Sequence, residues 1–489
     1  MVFSSITFLF FFLPAFLLMF YLLWKKTKLQ LLLLFLSSLL FYFWGESLLI
    51  WILLTSTGID YIVSLAISRE FDSEKRNTSG SVKRRKLWLS ISIVANLALL
   101  GYFKYFNFFL ENFIAFCSRT GLDGFIPEST AKIALPLGIS FYTFQTMSYT
   151  IDVYRGKIKA TKSFLKFASF VTMFPQLVAG PIVRYSDIEE QMNNHQLRLD
   201  DFVIGIKRFI GGLAKKVIIA NSLAAVADHI FALPSAELST GLAWLGITSY
   251  TLQLYFDFSG YSCMAIGIGR MLGFRFPENF NFPYISRSIT EFWQRWHITL
   301  STWFRDYLYF PLGGSRKGNL ITYRNLFVVF VTCGLWHGAS WNFLIWGLSH
   351  GVFMILEKVP ALQRLDTLPR VFHHIYMLLA FNLTLVIFRV ETIPGAIEFL
   401  KALLGFAPNP TTWHTIRELM QNNILVIFVV AIVFSTPAVK NSINYFKNIF
   451  ARYNNGLQLS YLLVLSVLFV LSAMSLASGT YNPFIYFRF

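Results

Sequence analysis

The stretch LFVVFVTCGLWHGASWNFLIWGLSHG, residues 326–351, is long and apolar enough to cross a bilayer, yet it carries a histidine near its middle. On an unbroken helix rising about 1.5 Å per residue, His337 lies roughly 16 Å past Leu326, near the midplane. An ionisable group at that depth faces a polar cavity or a partner, and a functional role is the default reading. The alternative is packing glue, with the imidazole bonded to a neighbouring helix. Small neighbours, Gly338, Ala339 and Ser340, leave room for another chain or a ligand.

The composition sets the frame for that stretch. Hydrophobic residues make up 55% and charged residues 14% of 489, against about 25% charged in a soluble domain. The apolar runs are long and continuous rather than short and alternating, which excludes a β-barrel. The expected fold is therefore all-α: a multi-pass membrane helical bundle of about ten to twelve spans, forming a single domain over residues 1–489. The first run, residues 2–24, lacks a basic start and a small-residue cleavage site, so it reads as a retained span. A net charge of +17 raises the question of nucleic acid. The Lys and Arg residues sit in short clusters between apolar runs, where cytoplasmic loops gather them, so no nucleic-acid partner is expected. They can instead attract acidic lipid head groups or an acidic carrier. Cys117, Cys263 and Cys333 follow no metal or disulfide spacing and read as structural thiols.

The basic clusters also orient the chain. Lys25, Lys26 and Lys28, then KRRK at residues 83–86, then residues 155–166 all fall inside, which places the N-terminus outside. The span before the C-terminus follows Lys440, Lys447 and Arg452 and places that end outside too. Residues 164–183 contain Pro175, Gly180 and Pro181 and predict a broken or re-entrant segment. Clear spans resume near residues 241–258, 326–351, 371–388, 424–436 and 457–478, and residues 391–423 are the most loop-like part of the C-terminal third.

A second segment, residues 256–318, is too polar and aromatic for a simple loop. Its best helical part starts near Ser288 or Thr290 as cap and ends before Pro311. Trp296, Leu300, Trp303 and Tyr307 share one face, with Ser301 and Arg305 opposite and His297 on the flank, the pattern of an interfacial helix. A lone His297 reads first as an interfacial ring, and Arg295, Arg305 and Asp306 as an ion-paired face. GIGRMLG (267–273) and GGSRKG (313–318) lack phosphate-loop spacing and read as turns. His350 falls near the outer boundary and His373–His374 at an interface; no pair has zinc spacing, so no metal is expected. A neutral histidine in a polar tunnel can take a proton from a hydroxyl as it attacks an acyl carbonyl. No G-x-S-x-G elbow suggests a serine triad.

These two segments, with MVFSSITFLFFFLP at residues 1–14 and SFVTMFPQLVAGPIVRY at residues 169–185, resemble the membrane-bound O-acyltransferase family. The likeness is to its bacterial branch that acylates surface polymers, including alginate, peptidoglycan and, more distantly, teichoic acid. The resemblance covers nearly the whole chain. It implies a ring of helices around a tunnel, a cytoplasmic acyl thioester as donor, and a hydroxyl acceptor served from the other side. It maps the family's histidine onto His337 and a branch-specific one onto His297. The ending YNPFIYFRF resembles a small partner peptide of the teichoic acid system, which makes Tyr486 a candidate acyl relay; otherwise it is an aromatic interface anchor. The expected activity is O-acetylation of a secreted polysaccharide in the bacterial inner membrane, alginate-like first and peptidoglycan second. Acetyl-CoA or an acyl carrier thioester would be the donor, with no permanently bound cofactor. Expected partners are membrane lipid, a periplasmic or extracellular acetyltransferase and the polysaccharide. D-alanyl transfer is an alternative acyl chemistry. A transporter with an intramembrane histidine, or a scaffold of an export complex, are the readings from other classes.

Overall fold

The computed structural model describes residues 2–72, 78–125, 132–359, 367–407, 409, 413–421, 423–449, 454–479 and 481–483. Among these the chain is helical, with no strand. Five helical stretches are long and apolar enough to cross a membrane: Thr27–Asp72, Ser79–Thr120, Leu199–Phe231, Arg370–Arg389 and Gln458–Ala477. Phe8–Leu22, Trp341–Leu356 and Ile424–Phe434 are shorter apolar helices.

The bundle is built around Thr240–Met271, a 32-residue helix buried along most of its length. It lies against Leu199–Ala214 because glycines let the two backbones touch. A Cβ on Gly212 would lie 2.6 Å from the Gly260 carbonyl, and one on Gly267 2.7 Å from that of Gly205. The long helix contains the expected span at residues 241–258 and runs beyond it: FDFSGYSCMAIGIGRM belongs to it, so GIGRM is helical and not a turn. Only Gly273, at φ +80°, makes the expected turn. Leu199–Phe231 was not visible as a span. Asp200, Asp201, Lys207, Arg208, Lys215, Lys216 and Asp228 dilute its apolar character, and several are neutralised by pairing in the fold.

The deciding stretch at residues 326–351 is not one span. The helix Asn319–His337 ends at the histidine, Gly338 is extended, and Ser340 caps a second helix, Trp341–Leu356, by accepting from the Phe343 N–H. The second helix folds back on the first. A Cβ on Gly347 would lie 2.3 Å from the Phe330 carbonyl, one on Gly334 2.4 Å from that of Phe343, and one on Gly351 3.1 Å from Phe330. These pairs define an antiparallel hairpin. Gly338, Ala339 and Ser340, which suggested room for a ligand, instead make the reversal, and a Cβ on Gly338 would lie 2.2 Å from the Phe343 ring.

Residues 164–183 are broken, as expected: Phe164–Thr172, a bend at Met173, then Phe174–Leu177 and an extended return, nearly all buried. Ser288 caps Ile289–Arg295, and helical structure ends at Tyr309, before Pro311. The expected continuous interfacial helix is, however, interrupted at His297, whose backbone is left-handed (φ 42°, ψ 53°), and Ile298–Phe304 starts anew. Trp296, Leu300, Trp303 and Tyr307 are all buried despite the break. The loop expected at residues 391–423 contains the helices Ile393–Leu403 and Trp413–Leu419. Cys117 and Cys333 are buried and Cys263 is part-exposed, all as free thiols.

Candidate active site

The reversal at residues 338–340 leaves His337 as the last helical residue of its arm, 6% exposed. Its ring packs edge-on against Trp336, Trp346 and Phe388, with centroids 5.0, 4.9 and 5.5 Å away. Lys104, buried in the span 79–120, donates to the Trp336 carbonyl and, at 3.0 Å, to the Ser140 hydroxyl. An amine donor therefore satisfies a carbonyl at the end of the helix that carries His337. A cavity of about 30 Å³, near the volume of one water, reaches His337 between Lys104, residues 135–141 and Val178.

His297 joins the same site rather than a flank. It is fully buried, and its ring centroid lies 5.9 Å from Trp336 and 4.6 Å from Phe258. Its left-handed backbone turns the chain so that the ring enters the bundle. Nδ1 lies 3.2 Å from Asn279 Oδ1. Asn279 donates through Nδ2 to Ser262, and its Oδ1 also accepts from the Thr299 N–H and hydroxyl. Oδ1 is thus an acceptor, so His297 carries its proton on Nδ1. Its Nε2 lone pair has no hydrogen-bond partner among the described residues. Thr299 also accepts from the Ile182 N–H at 3.0 Å, which ties the broken segment 164–183 to the histidine loop.

A second cavity, of about 380 Å³, runs between residues 290–309 and the two arms. Leu326, Val329, Phe330 and Cys333 line it, and Arg305 and Lys358 stand in its wall. Cys333 is one helical turn before His337. Nearby, Arg184 and Arg155 lie over the Tyr307 ring, Arg184 pairs with Asp306 at 2.8 Å, and Arg305 with Asp306 at 2.8 Å. Arg295 pairs with Glu291, as an ion-paired face requires.

The structure brings His337 and His297 together around one indole. It also brings in His350, which the expectation of a single span had sent to the outer boundary. The reversal returns His350 to the interior, fully buried, with its ring 4.9 Å from Trp346 and hydrogen-bonded to Trp293 and Thr384. Lys104 and Asn279 were missed. Lys104 had a signal, being a charge inside the apolar run 87–110; nothing local marks Asn279. His374 bonds the Ser286 carbonyl and His373 that of Leu368. Tyr486 lies outside the described residues. Among the described residues no group of three His, Cys, Asp or Glu side chains could hold a metal ion.

Residues 153–389 match the model of the membrane-bound O-acyltransferase family, a range that contains every one of these groups except Lys104 and the 135–141 wall. A probable alginate O-acetylase of Pseudomonas putida is 42% identical over 508 aligned residues, covering all of both chains. One from Azotobacter vinelandii is 40% identical, again over both full lengths. The peptidoglycan O-acetyltransferase of Helicobacter pylori is 38% identical over 83% of this chain and 80% of its own.

Proposed function

The chain belongs to the membrane-bound O-acyltransferase family and is an acyltransferase, and on that premise we propose that it moves acetyl groups across the bacterial inner membrane for O-acetylation of a secreted polysaccharide. An alginate-like polymer is the first choice, as the full-length relatives are named probable alginate O-acetylases, and peptidoglycan the second. The carrying observation is the position of His337, buried at the tip of a hairpin, in the wall of one small cavity and one helical turn beyond Cys333, which lines a larger one.

The larger cavity, with Arg305 and Lys358, suits the donor. Its volume is in the range that accepts a flexible arm of ligand size, and its cations suit phosphates. The positive-inside rule puts that face in the cytoplasm, where acetyl-CoA or an acyl carrier supplies the thioester. The termini then lie outside. His337 takes the proton of an acceptor hydroxyl. The oxygen forms a C–O bond to the acetyl carbonyl carbon, the C–S bond breaks, and the thiolate recovers the proton from the imidazolium. Lys104 lends positive charge to the site as charge builds on the carbonyl oxygen. His297, with its Nε2 lone pair open, is the supporting base at the same chamber. The first acceptor is Tyr486, and an external transferase passes the acetyl group from its phenol oxygen to a sugar hydroxyl.

The test is mass spectrometry of the C-terminal peptide from membranes given isotope-labelled acetyl-CoA. Label on Tyr486 in the wild type, and none in His337→Ala at equal protein level, is the expected result. Unchanged polymer acetylation in His337→Ala would overturn the reading.

A further inference from the structure

Lys216 and Asp257 form an ion pair of 2.8 Å in which each side chain is only 3% exposed. Neither takes part in the acyl transfer described above. Burying two charges carries a desolvation cost that their attraction has to return, and an apolar pair packs as well or better. The pair is created by close packing. Lys216 belongs to the π-helical turn Lys215–Ala220, which starts three residues after Gly212, and a Cβ on Gly260 would lie 3.1 Å from the Lys216 backbone nitrogen. The glycine contacts that join the two helices press the ammonium onto Asp257. π-turns of this kind recur at functional positions.

An ammonium has three N–H groups. One serves Asp257 and another donates to the carbonyl of Pro483. The rest of that segment is held as well. Asn482 accepts from Asn221 Nδ2 at 3.1 Å and donates to the Ser4 carbonyl at 2.8 Å, and the Tyr481 hydroxyl donates to Asp228. Asp228 is held in turn by Arg389 at 2.5 Å. From Asp228 to Lys216 is twelve residues, roughly 18 Å along the helix, so residues 481–483 run from its end toward its middle. Asp257 is next to Phe258, whose ring touches His297.

We infer that Lys216, Asp257 and Asn221 form a seat for residues 481–483, a positioning site that holds the terminal segment beside the wall of the acyl-transfer chamber. The purpose of the seat rests on the relay role proposed for Tyr486, three residues and at most about 10 Å of chain beyond Pro483. Lys216 and Asn221 are positioning residues, because they act on the acceptor segment and not on the reacting atoms.

The test uses the full chain with Cys263→Ser and Pro483→Cys, which keeps the carbonyl that Lys216 binds. Labelling of position 483 by a membrane-impermeant maleimide is compared with acetyl incorporation into the C-terminal peptide. Lys216→Met/Asp257→Leu removes both charges together and so leaves no uncompensated ion; Asn221→Ala leaves the pair intact. We expect labelling to rise at least tenfold, and incorporation to fall at least tenfold, in the double variant, with smaller changes of the same sign in Asn221→Ala and an unfolding temperature close to that of the parent. Unchanged labelling in both would overturn the seat, even if Tyr486→Phe abolishes transfer. If Tyr486→Phe transfers normally while the seat variants expose position 483, the relay fails and the seat stands as a docking site.

Discussion

His297 and His337 share one indole: both imidazoles stand edge-on to Trp336, with centroids 5.9 and 5.0 Å away. They come from different segments, one from a left-handed break between two short helices and the other from the tip of a hairpin. Trp336 is fixed between them by Lys104 at its carbonyl and by Phe141 and Phe144 at its ring. The two rings can therefore be tested apart.

His337→Ala should lower polymer acetylation by about a hundred- to ten-thousand-fold, the range for loss of a general base, at unchanged membrane level. His297→Asn should lower it less. Asparagine tolerates the left-handed backbone that His297 adopts, so the loop keeps its turn while the ring is lost. Comparing labelled acetyl transfer for the two variants, normalised to protein, checks the order.

Asn279→Leu should cost both stability and rate, because it orphans the Thr299 N–H and removes the acceptor that holds the His297 proton on Nδ1. An orphaned buried group costs about 1–3 kcal/mol. Asn279→Asp keeps an acceptor and should recover most of the rate. Nitrogen-15 spectra of labelled histidine should show loss of the single His297 tautomer in the leucine variant and its retention in the aspartate variant.

Gly347→Val should prevent the hairpin from closing, since its Cβ would meet the Phe330 carbonyl at 2.3 Å. The expected outcome is a large loss of folded protein on detergent size-exclusion. Gly211→Ala, where a Cβ meets nothing within 4 Å, should elute as the wild type.

Val329→Trp should fill the larger cavity without touching either histidine. A donor entering there should show KM raised by about tenfold or more, with a smaller change in kcat. An unaltered KM would place the donor elsewhere.

Burial pushes the Asp306 carboxyl up, but bonds and charge from Arg305 and Arg184 outweigh it and hold it below the usual carboxylate range. A depressed pKa contributes stability that is fully present above the unfolded value of about 3.9 and is lost as pH falls through the folded value. Asp306→Asn should therefore unfold at lower temperature than wild type at pH 7, with the gap closing below about pH 4. Thermal scans in detergent across that range measure it.

Much of this was legible in the chain. Composition and run length fix an all-helical membrane bundle, and Pro175 with Pro181 announces the broken segment that packs on Thr299. His337 stands out because a titratable ring in an apolar run is costly to place. The hairpin was hidden because apolar periodicity cannot distinguish a straight span from two arms turning at Gly338–Ser340, and His350 was misplaced with it. Leu199–Phe231 was hidden for the opposite reason, since its charges are cancelled only by partners far away in sequence, Asp257, Arg270 and Glu278 among them. Asn279 becomes informative only once Ser262, Thr299 and His297 surround it, which no local window contains.

The turn at residues 338–340 has a mechanical consequence. A base mounted on the elbow of a folded rod, as proposed for His337, would stay still while its substrates approach it. A carrier that alternates between two shapes would stall if its moving parts were stapled together. If the acetyl group is handed across as proposed, a covalent clamp between the two arms, whose backbones already touch, should leave turnover running.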